Sequence, residues 1–175
     1  MPNASKMKRQ ILMLIAFAFL SFECISQAQV TTFILVRHAE KLAGNMTDNK
    51  NDPDLTEEGK QRAGRLAALL RETKVDAIYS TNYKRTQNTV APLAAAKGIV
   101  VRTYEAKKTE AIDEMLKNFP GGTIVVCGHS NTTPWVANYL LDKEELKDFE
   151  DSDYDNVLVV TVIERAKGKV VWMNY

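Results

Sequence analysis

The chain has 175 residues and only two histidines, and each histidine stands just past an apolar run. His38 follows Phe33-Ile34-Leu35-Val36-Arg37 and is followed by Ala39-Glu40; His129 follows Thr123-Ile124-Val125-Val126-Cys127-Gly128 and is followed by Ser130-Asn131. Such runs read as strands buried on both faces, and the break into charge marks where each strand leaves the core. In open α/β sheets, ligands bind beyond the carboxyl ends of the strands, so charged groups at those ends are placed for chemistry rather than packing. If the two strands lie parallel and close in one sheet, both imidazoles meet at the same edge with Arg37 beside them. A pair of unrelated loop histidines is the bland alternative, and the repeated placement argues against it.

The chemistry that fits is phosphate recognition and transfer. A phosphate dianion needs several donors converging on its oxygens, and guanidinium is the best planar match. Arg37 and Arg85, each at a strand end or helix start, can supply this, with helix N-termini adding backbone N–H groups. An imidazole in such a pocket can attack phosphorus when neutral, or donate to the equatorial oxygens when charged. His38, beside Arg37 on the tighter turn, is the expected nucleophile. The surrounding groups are expected to hold the two histidines in different protonation states.

The elements that must position these residues alternate along the chain. Thr56 opens a helix with Glu57 and Glu58 in its first turn, and Ala63, Leu66, Ala67 and Leu70 give it one buried face. Ala77-Ile78-Tyr79 is a short strand. The next helix carries Arg85, Thr86, Thr89 and Val90 and stops near Gly98. Ile99 to Thr103 reads as a strand, Ile112 to Phe119 as a short helix, and Pro120-Gly121-Gly122 as the turn into the second histidine strand. Thr133 can cap a further helix with Pro134 at its first position. The acidic stretch Asp142 to Asp155 reads as solvated surface. Val157 to Ile163 and Lys169 to Met173, joined around Lys167-Gly168, read as a terminal hairpin. The fold class expected is therefore a three-layer α/β/α sandwich with a mostly parallel central sheet and an antiparallel C-terminal edge.

The first 28 residues stand apart from this pattern. Lys6, Lys8 and Arg9 precede the apolar run Ile11 to Phe22, and Ser26-Gln27-Ala28 offers small residues for cleavage, so residues 1–28 are expected to be a secretory signal peptide and 29–175 the mature domain. The run is short of the roughly 20 residues that span a bilayer, and Glu23 before Cys24 is a poor setting for lipid attachment. The expected location is outside the cytoplasm, periplasmic or extracellular, with no membrane contact after cleavage. Removing Lys6, Lys8, Arg9 and Glu23 from the 23 basic and 22 acidic residues leaves 20 against 21, a net −1. That balance gives no reason to expect nucleic acid as a partner. Cleavage leaves Cys127 alone, and a buried structural thiol is the reading preferred for it over a nucleophile.

Four motifs, taken in order, resemble the signature of the histidine phosphatase superfamily, also called phosphoglycerate-mutase-like. They are Arg37-His38-Ala39-Glu40, Leu55-Thr56-Glu57-Glu58-Gly59, Ser80-Thr81-Asn82-Tyr83-Lys84-Arg85-Thr86 and Gly128-His129-Ser130. The resemblance implies that His38 is phosphorylated, that Arg37, Arg85 and His129 hold the phosphoryl group with it, and that no metal or other cofactor takes part. It also implies an acid that protonates the leaving group; Glu105 is the best match, with Glu110 and Asp113 competing. Ser130 stands where the superfamily's other major branch places an aspartate, which disfavours that branch. Only 43 residues lie between Arg85 and His129, leaving little room for a large cap, so the chain most resembles the compact branch that includes bacterial phosphohistidine phosphatases. Hydrolysis of a small-molecule or extended phosphomonoester is the expected activity.

Other chemistries fit less well. A serine hydrolase built on Gly128-His129-Ser130-Asn131-Thr132 lacks the second glycine of a nucleophile elbow, and no histidine follows Ser130. A phosphate-binding protein without turnover would keep the same four residues and differ only in the proton donor. Calcium loops starting at Asp48 or Asp151 fail at the twelfth position, where Gly59 and Val162 stand.

Overall fold

Alternation along the first strand explains the layering of the protein. In the computed structural model, which describes residues 29–43 and 52–175, β1 (Thr31–Arg37) sends Phe33 and Leu35 to one face and Ile34 and Val36 to the other, and all four are buried. One face packs against α3 (Thr109–Asn118) and α4 (Thr133–Leu141) through Ile112, Met115, Val136, Ala137 and Leu140. The other packs against α1 (Glu57–Leu69) and α2 (Lys84–Lys97) through Leu66, Val90 and Leu93. Each of these side chains larger than alanine contributes about 1.5–3 kcal/mol by leaving water. A strand that is apolar on both faces must lie inside a sandwich.

The remaining strands are β2 (Ala77–Ser80), β3 (Val101–Thr103), β4 (Thr123–Gly128), β5 (Asn156–Glu164) and β6 (Lys167–Asn174). The sheet runs β3-β2-β4-β1-β5-β6, with β1, β2, β3 and β4 parallel and β5 and β6 antiparallel at one side. The two histidine strands are direct neighbours, as the expected fold requires. The signal-peptide reading of residues 1–28 lies outside the described residues, as do residues 44–51.

Several boundaries differ from the sequence reading. β3 starts at Val101 because Ile99 is spent on ending α2: Gly98 turns left-handed (φ 64°) and the Ile99 N–H reaches the Ala94 carbonyl at 3.0 Å. The α3 helix starts earlier, at Thr109. The N-cap of α4 is Thr132 rather than Thr133, whose hydroxyl instead donates to the Val36 carbonyl at 3.1 Å. The terminal hairpin turns at Arg165-Ala166, not Lys167-Gly168. Gly168 lies inside β6, where a Cβ would stand 2.5 Å from Val162 Cγ1 and 2.6 Å from the Thr161 carbonyl; its glycine serves close strand approach, not the turn.

Candidate active site

Strand register builds the centre of the site. Arg37 pairs with Gly128 across β1 and β4, and the His38 N–H continues the ladder to the Gly128 carbonyl at 2.9 Å. The two imidazoles therefore leave adjacent strand ends together, with centroids 5.4 Å apart and rings inclined at 67°. Gly128 has no room for a side chain, since a Cβ would come within 2.6 Å of the Thr132 hydroxyl. That hydroxyl accepts from the His129 N–H at 2.8 Å and fixes the turn.

Helix α2 brings the second arginine and fastens both histidine loops. Thr89 accepts from the Ala39 N–H at 2.9 Å and donates to the Arg85 carbonyl at 2.7 Å. The Thr81 hydroxyl lies 3.0 Å from His129 Nε2 and donates to Thr86. Arg85 lies over the Tyr83 ring at 4.3 Å, and that ring meets His129 edge-on with centroids 5.1 Å apart. Asp52 stands 3.6 Å from Arg85, and its carboxylate accepts from the Lys84 N–H at the helix start. The sequence reading missed Asp52, although its position shortly before the Leu55-Thr56 helix start was a signal that could have been tested.

Arg37 corrects the reading of the acidic stretch. Its Nη1 donates to the carbonyls of Glu150 (2.7 Å) and Asp153 (3.0 Å), and its guanidinium lies 4.2 Å from the centroid of the Tyr154 ring. Phe149 is buried, and its N–H donates to the Ser130 carbonyl at 3.0 Å. Residues 149–154 are thus a wall of the site rather than simple solvated surface. Phe149 and Tyr154, aromatic residues within an acidic run, were the available sign. After these contacts, Nε of both Arg37 and Arg85 is buried without a hydrogen-bond partner among the described residues. Unpaired buried guanidinium donors are costly, and an oxyanion is the partner that guanidinium matches best.

Both histidines are shifted in the same direction, against the expectation of different protonation states. Burial, reinforced by the positive charge of His129, Arg37 and Arg85, takes His38 down to about 3, although its backbone bond to Ala39 opposes this. Burial, with Arg85 and Arg37, takes His129 down to about 4 against the pull of Asp52. Both rings are therefore neutral near pH 7 before any anion arrives. The bond from His38 Nδ1 to the Ala39 carbonyl is 2.8 Å. A carbonyl can only accept, so Nδ1 carries the hydrogen and Nε2 presents a lone pair.

Other sequence candidates lie elsewhere. Glu105 follows β3, but Tyr104 beside it is turned inward, so the Glu105 side chain is exposed and pairs with Lys108. The Asp113 carboxylate accepts from the Tyr139 hydroxyl at 2.9 and 3.0 Å, and Glu110 is exposed. Among the described contacts none of the three carboxylates meets a histidine. Among the described contacts the Ser130 hydroxyl meets no histidine nitrogen; the ones shown for the two rings are His129 Nε2 to Thr81 and His38 Nδ1 to Ala39. Cys127 is free and fully buried, and burial raises its thiol pKa, so it is a structural thiol. Among the described residues, no group of three or more His, Cys, Asp or Glu is placed to hold a metal ion, and no helix is long and apolar enough to cross a membrane.

Comparison with known proteins places this geometry in context. Residues 33–108 match the sequence model of the histidine phosphatase superfamily (branch 1). A 70-residue stretch is 43% identical to phosphoserine phosphatase 1 of Hydrogenobacter thermophilus, covering 39% of this chain and 33% of that protein. The chain thus matches about a third of the length of this curated relative. Among solved structures, the fold is similar to that of the protein histidine phosphatase SixA complexed with tungstate (TM-score 0.65, 12% identity, 82% of this chain and 96% of that one). It is also similar to Bacillus stearothermophilus YhfR (TM-score 0.63, 18% identity, 81% and 95%).

Proposed function

We propose that this chain belongs to the histidine phosphatase superfamily, whose model its residues 33–108 match, and hydrolyses phosphomonoesters through a phosphohistidine on His38. The observation that carries this reading is a neutral imidazole, its Nε2 without a partner among the described residues, under the field of buried Arg37 and half-buried Arg85, whose Nε atoms likewise have no described partner. The neutral nucleophile attacks phosphorus, the P–O bond to the leaving group breaks, and the leaving oxygen takes a proton. Water then attacks the phosphohistidine, releasing phosphate and restoring His38. Arg37, Arg85 and His129 hold the phosphoryl oxygens as charge shifts in the transition state. The guanidinium pair supplies the positive charge, so the reaction is proposed to need no metal.

Glu105 would have to leave Lys108 and turn inward to protonate the leaving group. Without such a movement, substrates with good leaving groups are favoured. A Glu105→Gln variant that slows alkyl phosphates but not nitrophenyl phosphate supports the acid role; equal effects on both reject it. Export after cleavage near Ala28 is part of the proposal and rests on the pattern Lys8-Arg9, Ile11 to Phe22 and Ser26-Gln27-Ala28. The substrate is then a small or extended phosphomonoester met outside the cytoplasm.

The test is rapid quench of the purified 29–175 domain with a labelled phosphomonoester, followed by mapping of acid-labile phosphate. Phosphate on His38 is expected. Turnover without it, or labelling elsewhere, overturns the mechanism. Binding of phosphate with no turnover over a broad panel turns the reading to an anion-binding protein.

A further inference from the structure

We propose that a buried hydroxyl relay through Thr81 and Thr86 holds His129 as its Nε2–H tautomer, leaving Nδ1 to take up one proton when a phosphoryl dianion binds. The second half rests on the phosphate reading above; the first half does not.

The relay follows from counting hydrogens. Thr86 Oγ1 lies 2.9 Å from each of the carbonyls of Thr81 and Tyr83, which can only accept. Its single hydrogen therefore points to a carbonyl, and its lone pair faces Thr81 Oγ1 at 3.0 Å. That contact is a bond only if Thr81 provides the hydrogen, so Thr81 has none left for His129 Nε2, 3.0 Å away. The imidazole must then donate. The reverse direction makes one bond fewer and sets oxygen lone pairs against carbonyls at 2.9 Å. Thr81 and Thr86 are 2% and 0% exposed, so water does not readily replace a missing partner.

With Nε2 spent, Nδ1 is the free nitrogen, and no described residue bonds to it. The groups around it come from every neighbouring element: Arg37 and His38 at the end of β1, Tyr83 and Arg85 at the start of α2, and Asp52 before α1. Burial of the ring, with two guanidinium charges against one carboxylate, keeps Nδ1 unprotonated while the pocket has no anion. A phosphoryl dianion reverses that balance. Its oxygens can only accept, so a lone pair on Nδ1 repels them and a hydrogen there binds them. The balance is dianion plus neutral His129 plus one proton from solvent. A monoanion brings its own proton, and no net uptake follows.

Thr81 is thus a positioning residue, and its test has readouts beyond activity. Because the chain has two histidines, long-range 1H–15N spectra of the tag-free 29–175 domain should show two neutral rings in opposite tautomers, Nδ1–H for His38 and Nε2–H for His129. Two Nδ1–H rings overturn the relay. Thr81→Val should mix the His129 tautomers and weaken inorganic phosphate binding about tenfold, the scale of one lost hydrogen bond, while Thr81→Ser restores both. A pure Nε2–H signal in Thr81→Val also overturns the relay. Calorimetry of phosphate binding in two buffers of different ionisation enthalpy should count about one proton taken up at pH 8 and none near pH 5. No uptake at pH 8 overturns the proton step. Failure of phosphate to bind overturns the anion reading and the proton step together, while the spectra still decide the tautomer.

Discussion

The loops after β1 and β4 begin as near copies, each an imidazole on the first residue past a buried parallel strand, yet they are held by different means. His38 is fixed mostly by backbone: its N–H bonds to the Gly128 carbonyl, its Nδ1 to the Ala39 carbonyl, and the next residue's carbonyl, Glu40, receives the Thr56 N–H at 2.9 Å. His129 has its N–H held by the Thr132 side chain and its Nε2 by that of Thr81, while its carbonyl accepts from the Thr132 and Thr133 N–H groups. The first ring presents Nε2 and the second Nδ1. A backbone clamp gives the proposed nucleophile one geometry that few substitutions can alter. A side-chain clamp leaves the proposed phosphate ligand open to tuning by its neighbours.

The comparison breaks most visibly if both rings are deleted in turn. His38→Ala should lower kcat/KM on nitrophenyl phosphate by at least about 10⁴-fold, as loss of a covalent nucleophile does. His129→Ala should cost about 10²–10³-fold, the scale of one transition-state donor, and should still allow labelling of His38. Equal losses, with labelling abolished in both, would remove the division of roles.

The two glycines beside the loops sharpen the same contrast. At Gly59 a Cβ would stand 2.2 Å from the Glu40 carbonyl, a backbone atom of the His38 loop; at Gly128 its nearest neighbour, at 2.6 Å, is the Thr132 hydroxyl. Backbone cannot rotate away, so Gly59→Ala should destabilise the protein more, by about 1–3 kcal/mol or above. Gly128→Ala should spare more stability and lose more activity, because Thr132 moves at the expense of the His129 loop. Urea unfolding paired with kcat/KM tests this, and the opposite ranking would refute it.

Much of this was legible in the sequence because it rests on short-range pattern. The doubly apolar runs Phe33–Val36 and Ile124–Cys127 announce central strands, and Thr56 accepts from the Gly59 N–H at 3.0 Å as an N-cap should. What escaped depends on contacts far apart in the chain. Arg37 meets Glu150 and Asp153 more than a hundred residues away, so charge composition alone made the acidic stretch look like surface. Glu105 was placed by motif, but the inward turn of Tyr104 decides where its side chain goes. The protonation of the histidines depends on burial, which a one-dimensional reading cannot weigh.

Acid stability is a smaller test of the same pair. Both rings have pKa values in the folded protein, about 3 and about 4, below the ordinary 6.5. The unfolded chain therefore binds protons first as pH falls, and the stability from holding neutral rings is present above 6.5 and lost on the way down through 4 and 3. The slope is at most about 1.4 kcal/mol per pH unit for each ring. Tm should fall across this window in wild type and fall less in His38→Gln/His129→Gln; identical profiles would mean that carboxylates govern acid unfolding.

The least effect is expected at Asp151, the residue that charge alone would rank beside Arg37, the proposed phosphate ligand. Its carboxylate is 3.9 Å from Arg37 Nη2 and its side chain is fully exposed, so solvent screens the pair. The grip on Arg37 comes instead from two neighbouring backbone carbonyls and the Tyr154 ring, which the substitution does not touch. Asp151→Ala should leave KM and kcat within about twofold of wild type, whereas Tyr154→Ala, which removes the surface under the guanidinium, should raise KM more than it lowers kcat. A large loss in Asp151→Ala at moderate salt would mean that the wall holds Arg37 by charge, and that the acidic stretch acts on the pocket by its field rather than its backbone.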